Sequence, residues 1–324
     1  MEQDLMRILT GGWVAQAIFA AVRLGVADAL DGRRLAPEEI AEEVGAHPDA
    51  LHRLLRLLAG VGLADADGDN RYGLTPMGAQ LRGDALGPLA TLYGEDYFAS
   101  AWDGLAHAVR TGEPAFEHVH GEPVFAHLAG DPGKAAVFNR GMAAGASFFR
   151  GVPDAYDFSG ARRVVDLAGG TGALLATVLR SSPAARGVLF DVPDVVEAAP
   201  AHLARMGVLD RCELVGGDLF DAVPEGGDVY VLSRILHDWD DERCAVLLAN
   251  CAKAMEPGAE LLVVERVVGQ DSYLPLAYDL HMMVMTGGRE RTEAEYRALL
   301  EEADLTPGRL LDLPLGMRLL TATR

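Results

Sequence analysis

Lysine is nearly missing from this chain. Lys134 and Lys253 are the only ones in 324 residues, and 48 acidic against 28 basic side chains leave a formal net charge of −20. Phosphate backbones are held by clustered Lys and Arg, so the charge argues against a nucleic-acid partner, and none is expected. Cysteine is scarce too: Cys212, Cys244 and Cys251 are odd in number and show no CxxC spacing. That argues against a disulfide framework or a zinc site, and reads as reduced thiols packed as small hydrophobes in a cytoplasmic protein. No metal is expected. No uninterrupted apolar run attains the roughly 18 residues that a bilayer demands. The start, MEQDLMRILTGG, lacks the basic flank, apolar block and cleavage site of a signal peptide, and no membrane partner is expected.

What is present suits a globular protein: 50% of residues are hydrophobic and 23% charged, and the length allows two cores. Residues 1–150 read as helix after helix. Trp13 to Leu30 is apolar on more than one face, which calls for cover on both sides, and a second subunit is the expected cover. Pro37, four following glutamates and Gly45 bound a helix; Leu51, Leu54, Leu55, Leu58 and Val61 mark the next. DADGDNRYGLT then reads as a hairpin. Helix, helix, hairpin is a winged-helix order, with two uses: DNA binding through Arg53 and Arg56, or a scaffold for dimerisation. The acidic neighbouring helix and the lack of a basic stripe favour the second.

From about residue 160, strands and helices alternate, the mark of an α/β, Rossmann-like parallel sheet with crossover helices. The domains are therefore placed at 1–150 and 151–324. VVDLAGGTGALL runs strand, glycine turn, helix, where a ligand can approach bare backbone at the positive end of a helix. The dinucleotide fingerprint is incomplete, since Gly170-x-Gly172 is followed by Ala173, Leu174 and Leu175. The next strand ends in Asp191, about twenty residues on, where a carboxylate can accept from ribose hydroxyls. A third strand end places Asp218 beside Leu219 and Phe220, a polar contact next to apolar walls. Helix or turn capping is the alternative for both aspartates.

DLAGGTGALL, LFDVPDVV, GGDLF, LSRILHDWDDE, VVER and GGRERTEAEY follow in the order found in S-adenosylmethionine-dependent O-methyltransferases of the plant caffeate and isoflavone type, whose bacterial relatives tailor aromatic natural products. The resemblance covers essentially the whole chain. It implies a homodimer, a first domain for dimerisation and as a substrate lid, and S-adenosylmethionine as cofactor. It also implies cofactor contacts from the turn Ala168, Gly169, Gly170 and Gly172, from Asp191 on the ribose, and from Asp218, Leu219 and Phe220 around the adenine. A further polar contact falls on Ser233, with Arg234 as the other choice. Ala168 departs from the family's glycine triplet, and an alanine takes a positive φ only at a cost.

LSRILHDWDDER carries a lone imidazole out of a strand and into an acidic run. By resemblance His237 is the catalytic base, and Glu265 and Glu290 are its orienting partners. Asp238 follows the family pattern as well, with catalysis and helix capping both open. Met282 and Met283 in AYDLHMMVMTGG, with Met142 and Phe149 in NRGMAAGASFF, are candidates for a flat apolar substrate pocket; plain core is the other reading. His281 has no assigned role. The expected reaction is methyl transfer to a phenolic hydroxyl of a small aromatic metabolite. A ligand-sensing winged-helix regulator and a family member with altered chemistry, such as hydroxylation, are the alternatives.

Overall fold

A computed structural model describes residues 1–269 and 273–324. Contacts divide the chain into two compact units, Met1–Asp103 with Val124–Ala146, and Gly104–Pro123 with Ser147–Arg324. Gly104–Pro123, expected with the first half, groups with the second because its helix Ala115–His120 packs on the helix Tyr273–Met285.

In the first unit, the helices Pro37–Val44 and Pro48–Gly60 precede a hairpin of β1 (Ala64–Ala66) and β2 (Tyr72–Leu74). Gly45 ends the first helix at φ +67, a left-handed value that glycine adopts without a Cβ clash. Ile40, Leu51, Leu55, Leu58 and Tyr72 form the core with Leu30. The N-terminal pair of helices, Glu2–Leu9 and Gly11–Arg23, contributes little to it. Only Ala21 of Gly11–Arg23 is buried, and Trp13 is 72% exposed. Together, Glu2–Arg23 is 22 residues with mean hydropathy 1.5 in its most apolar window, long and apolar enough to cross a bilayer by those measures. This corrects the expectation that no segment attains that length: counting uninterrupted apolar residues missed a stretch whose average stays high through Thr10. Met142 lies on the helix Pro132–Ala144, capped by Asp131, whose Oδ1 accepts from the Gly133 and Lys134 amides.

The second unit is built on a seven-stranded sheet of β3 (Arg163–Leu167), β4 (Arg186–Asp191), β5 (Cys212–Gly216), β6 (Val229–Ser233), β7 (Glu260–Arg266), β8 (Thr306–Asp312) and β9 (Met317–Thr323). The order is β5-β4-β3-β6-β7-β9-β8. β3 to β7 are mutually parallel, and the last hairpin adds β9 and β8 antiparallel, so the sheet is mixed rather than wholly parallel. β3, β6 and β7 are near-continuous buried runs, as strands covered on both faces must be. The helices Asp241–Ala254 and Glu293–Glu302 cover one face with Cys244, Leu247, Leu248, Tyr296, Leu299 and Leu300.

The chain leaves β3 toward β4 on one side and returns to β6 on the other. This switch point opens a crevice at the strands' carboxyl ends. Register then lines up the candidates. Leu167 pairs with Phe190 and with Leu232, and Ser233 pairs with Val264. Asp191, Ala168, Ser233 and Glu265 therefore stand in a row along one edge.

Beyond β6 the chain takes a positive φ at Arg234 (+57), then a single 3₁₀ turn, Leu236–Asp238, that carries His237. Asp240 caps the following helix, its Oδ1 accepting from the Arg243 amide at 2.8 Å. The turn is clamped by a fully buried arginine that sequence reasoning passed over. Arg291 donates to the carbonyls of Leu236 and Trp239, both at 2.8 Å, and to Asp241 Oδ1 at 2.7 and 3.0 Å. Arg291→Met should lower the unfolding free energy by roughly 2–4 kcal/mol, because buried acceptors lose their donors. Urea denaturation followed by fluorescence checks this, and an unchanged midpoint contradicts the clamp.

Candidate active site

The glycine turn is shaped by what a Cβ would strike. At Gly169 it would lie 2.5 Å from Leu189 Cδ1 and 2.6 Å from the Asp166 carboxylate, and at Gly172 2.8 Å from Leu203 Cδ2. Gly170 differs: it takes φ +60 and its Cβ position opens onto empty space. Packing fixes two of the glycines, and the third presents bare backbone. Ala168 does adopt the positive φ expected to be costly, at +50, a strain of about 1–2 kcal/mol. Asp191 spans the turn, Oδ2 accepting from Gly170 N and Oδ1 from Val192 N, both at 2.8 Å. Burial raises its carboxyl pKa against the pull of those amides, so hydroxyl donors would favour the ionised form. Asp166 props the turn from below, accepting from Leu175 N at 3.2 Å, and burial lifts its pKa to about 7. It was passed over as one polar residue in an apolar strand.

Asp218 accepts from Phe220 N at 2.9 Å, which bends the chain so that half-buried Leu219 and Phe220 follow the β5 exit. The Phe220 ring meets Trp239 edge-on at 4.9 Å, and the Arg243 guanidinium sits 4.6 Å from its centroid. The Ser233 hydroxyl is buried without a hydrogen-bond partner among the described residues. Arg234 turns instead toward the rings of Phe148 and Phe149, at 5.7 and 6.0 Å. An orphan hydroxyl, a carboxylate with lone pairs to spare, half-buried apolar walls and bare backbone at Gly170 form a donor and acceptor set that fits an adenine nucleoside bearing an amino-acid tail.

Three carboxylates surround His237, which is 7% exposed. Its Nδ1 is 3.0 Å from Glu290 Oε1 and 3.6 Å from Glu265 Oε2, and its Nε2 is 3.9 Å from Asp238 Oδ1. Glu265 does a second job: its Oε1 accepts from the amides of Ile235 and Leu236, both at 2.9 Å, tying β7 to the turn. The Glu290 amide donates to Asp279 Oδ1 at 3.0 Å, fixing the loop from the other side. Asp238 does not cap the next helix, since Asp240 holds that place. Burial pulls the imidazole pKa down, but Glu265, Asp238 and Glu290 together push it up to about 9. Burial likewise raises Glu265 to about 7, against the pull of His237.

The ligating atoms of His237, Glu265 and Glu290 lie within 4.8 Å of one another, close enough to hold a metal ion. A cation on Nδ1 would leave the ring's remaining proton on Nε2. The 3.0 Å Nδ1 contact matches a shared proton equally well and leaves Nε2 for chemistry. The run FEHVHGE also carries a Glu117-x-x-His120 spacing, which is not among the groups of clustered metal-ligating atoms in the described residues.

Met282 is buried, Met283 and Phe149 are half-buried, and all three belong to the second unit; Met142, half-buried, belongs to the first. His281 shares the helix Tyr273–Met285, and burial, His237 and Arg266 push its pKa down to about 4, so it is neutral.

Residues 102–306 match the O-methyltransferase domain family, and residues 6–82 match the O-methyltransferase dimerisation domain. The chain is 44% identical to the 3-amino-4-hydroxybenzoate 4-O-methyltransferase of Streptomyces cremeus, over 98% of this chain and 89% of that one. It is 41% identical to the phenazine O-methyltransferase of Lysobacter antibioticus, over 99% and 96%. Among solved structures, an O-methyltransferase from neocarzinostatin biosynthesis in complex with S-adenosylmethionine and 2-hydroxy-5-methyl naphthoic acid matches with a TM-score of 0.79 at 33% identity, covering 95% of each chain. With the mixed Rossmann-like sheet, the bare glycine turn and the edge carboxylates already in place, these likenesses make the chain a member of the S-adenosylmethionine-dependent O-methyltransferase family, an enzyme whose cofactor is S-adenosylmethionine.

Proposed function

We propose that this enzyme methylates a phenolic hydroxyl of a small aromatic metabolite, an intermediate in natural-product synthesis, with His237 as general base. The observation that carries the reading is the 3.0 Å bond from His237 Nδ1 to buried Glu290, which leaves Nε2 as the nitrogen available for a proton. The aminohydroxybenzoate in one relative's name, and the hydroxynaphthoic acid in complex with another, support the acceptor class.

A phenol titrates near pH 10, so proton transfer to an ordinary imidazole near 6.5 is uphill by about 5 kcal/mol. With the three carboxylates raising His237 to about 9, the mismatch falls to about one pKa unit. The phenolic O–H bond breaks toward Nε2 while the oxygen forms its bond to the methyl carbon. Glu290 and Glu265 stabilise the imidazolium that results, and positioned proton removal contributes about 10²- to 10⁴-fold. When bound, S-adenosylmethionine supplies a methyl group already activated on a sulfonium cation, whose charge also favours an imidazole that has lost its proton. Asp191 would hold the ribose, Asp218, Leu219 and Phe220 the adenine, and Ser233 or Arg234 a further polar group. Ala168, Gly169, Gly170 and Gly172 would offer backbone contacts. Asp238 would add negative charge beside Nε2, and Phe149, Met282 and Met283 would line the acceptor's path.

Residues 1–150 are assigned to dimerisation and 151–324 to catalysis. The exposed side chains of Leu5, Met6, Ile8, Leu9 and Trp13, together with the dimerisation-domain match, support a homodimer, which we assign to the cytoplasm.

Mass spectrometry of products from labelled cofactor and a panel of phenols tests the reaction. His237→Ala should depress kcat by roughly 10²-fold or more while cofactor still binds; undiminished turnover removes His237 as the base. Because only the unprotonated imidazole accepts a proton, kcat/KM should rise with pH toward an alkaline plateau. Glu290→Gln deletes a negative neighbour, lowers the imidazole pKa, and should shift that rise to lower pH with a reduced plateau. A rise that stays put means Glu290 does not tune the base. Asp191→Ala should weaken S-adenosylhomocysteine binding by about tenfold or more in calorimetry, and unchanged affinity rejects the ribose contact.

A further inference from the structure

Glu290 lies outside helix and strand, in the loop between the helices Tyr273–Met285 and Glu293–Glu302. A backbone amide taken out of water needs an acceptor, and here the acceptor is a side chain. Asp279 Oδ1 takes the Glu290 N–H at 3.0 Å, from eleven residues earlier in the chain. The next residue is held from the other side, where the Arg291 carbonyl accepts from Val268 N at 2.9 Å. The turn between Asp279 and Glu290 is folded onto the helix end. Met282 O accepts from the Thr286 and Gly287 amides at 2.9 and 3.0 Å, and Thr286 Oγ1 accepts from Gly288 N at 3.1 Å. Asp279 closes this bracket.

Asp279, Met282 and Met283 are spaced i, i+3 and i+4, so they share one face of their helix. The bracket therefore has two candidates for the acceptor's wall on its helix and the partner of His237 on its loop. Asp279 is half-buried. Burial raises its carboxyl pKa and the Glu290 amide lowers it; the Glu290 and Glu295 charges push it up and Arg289 pulls it down. A carboxylate beside Glu290 is electrostatically unfavourable, so what this position gains is the bond to the amide. The ionisable groups that face His237 are Glu265, Asp238 and Glu290, with His281 from the helix of Asp279.

We propose that Asp279 is a positioning residue for the base: by holding the Glu290 amide it keeps Glu290 Oε1 on His237 Nδ1, and it makes that contact depend on the helix carrying Met282 and Met283. This role rests on the methyl-transfer reading above. An acceptor seated against Met282 and Met283 would rest on the same element that sets the base.

Nitrogen NMR of His237 and steady-state kinetics of the full-length enzyme compare Asp279→Asn with Asp279→Leu. Both remove the charge, but only Asp279→Asn keeps an oxygen for the Glu290 amide. The pH midpoint of His237 should fall about half a unit or more further in Asp279→Leu than in Asp279→Asn. Asp279→Leu should also lower kcat by about tenfold relative to Asp279→Asn, with KM for S-adenosylmethionine within about twofold. In a Glu290→Gln background the difference in midpoint should shrink by more than about half, because it passes through the Glu290 carboxylate. If Asp279→Leu does not fold, Asp279→Ser, whose shorter side chain withdraws the acceptor, takes its place. Equal midpoints in the two variants, or a difference that persists in full with Glu290→Gln, overturn the role of Asp279. Equal midpoints with turnover still lost in His237→Ala sink Asp279 alone and leave the base reading intact. Midpoints that differ as expected while His237→Ala turns over normally sustain Asp279 as the holder of the imidazole's partner and count against the base reading.

Discussion

Everything at this site follows from two glutamates sharing the inner nitrogen of one imidazole. Glu290 and Glu265 come from different elements, a loop and a strand end, yet they converge on His237 Nδ1 from 3.0 and 3.6 Å. Burying a histidine with three carboxylates is a poor way to stabilise a fold, because desolvation offsets most of the Coulombic gain. As a way to make an imidazole basic it works well. The same negative charges that make the cluster costly lift the ring to about 9, close to the pKa of the hydroxyl that it must deprotonate.

That arrangement needs a rigid carrier. His237 rides on a single 3₁₀ turn, too short to hold itself. Glu265 takes the turn's amides, Arg291 takes its carbonyls, and Cys244 Sγ adds a contact to the Leu236 carbonyl at 3.3 Å. A Cβ at Gly288 would fall 2.0 Å from the His237 carbonyl oxygen, so the loop bearing Glu290 and Arg291 lies directly on the turn. Adjacent residues of one loop thus hold the ring and its backbone. On the neighbouring strands the glycine turn stores strain at Ala168, as expected where backbone is shaped for a ligand rather than for stability.

Much of this is legible in the sequence. Alternating apolar runs and helices announce the Rossmann-like unit, the glycine turn announces a backbone approach, and parallel register carries Asp191, Ser233 and Glu265 to one edge once the strands are identified. Other features depend on contacts across long stretches of chain. Arg291 looks like part of a solvated charge cluster until the fold seats it against residues fifty positions earlier. Asp238 and Asp240 are equal capping candidates on paper, and only geometry gives the cap to Asp240. Gly104–Pro123 joins the sheet unit because of a helix contact that no local pattern encodes. The apolar N-terminal helices show the reverse case: their composition is plain, but their exposure becomes visible only in three dimensions.

The central claim, that Nδ1 keeps its proton and Nε2 exchanges one, can be read directly by nitrogen NMR of the enzyme labelled at its histidines, with the His237 resonances assigned by substitution. On raising the pH from 7 to 10, the Nε2 resonance should move to the position of a bare, lone-pair nitrogen while Nδ1 stays protonated. If Nδ1 loses its proton first, or Nε2 remains protonated throughout, the imidazole is not poised as a base and the account is wrong.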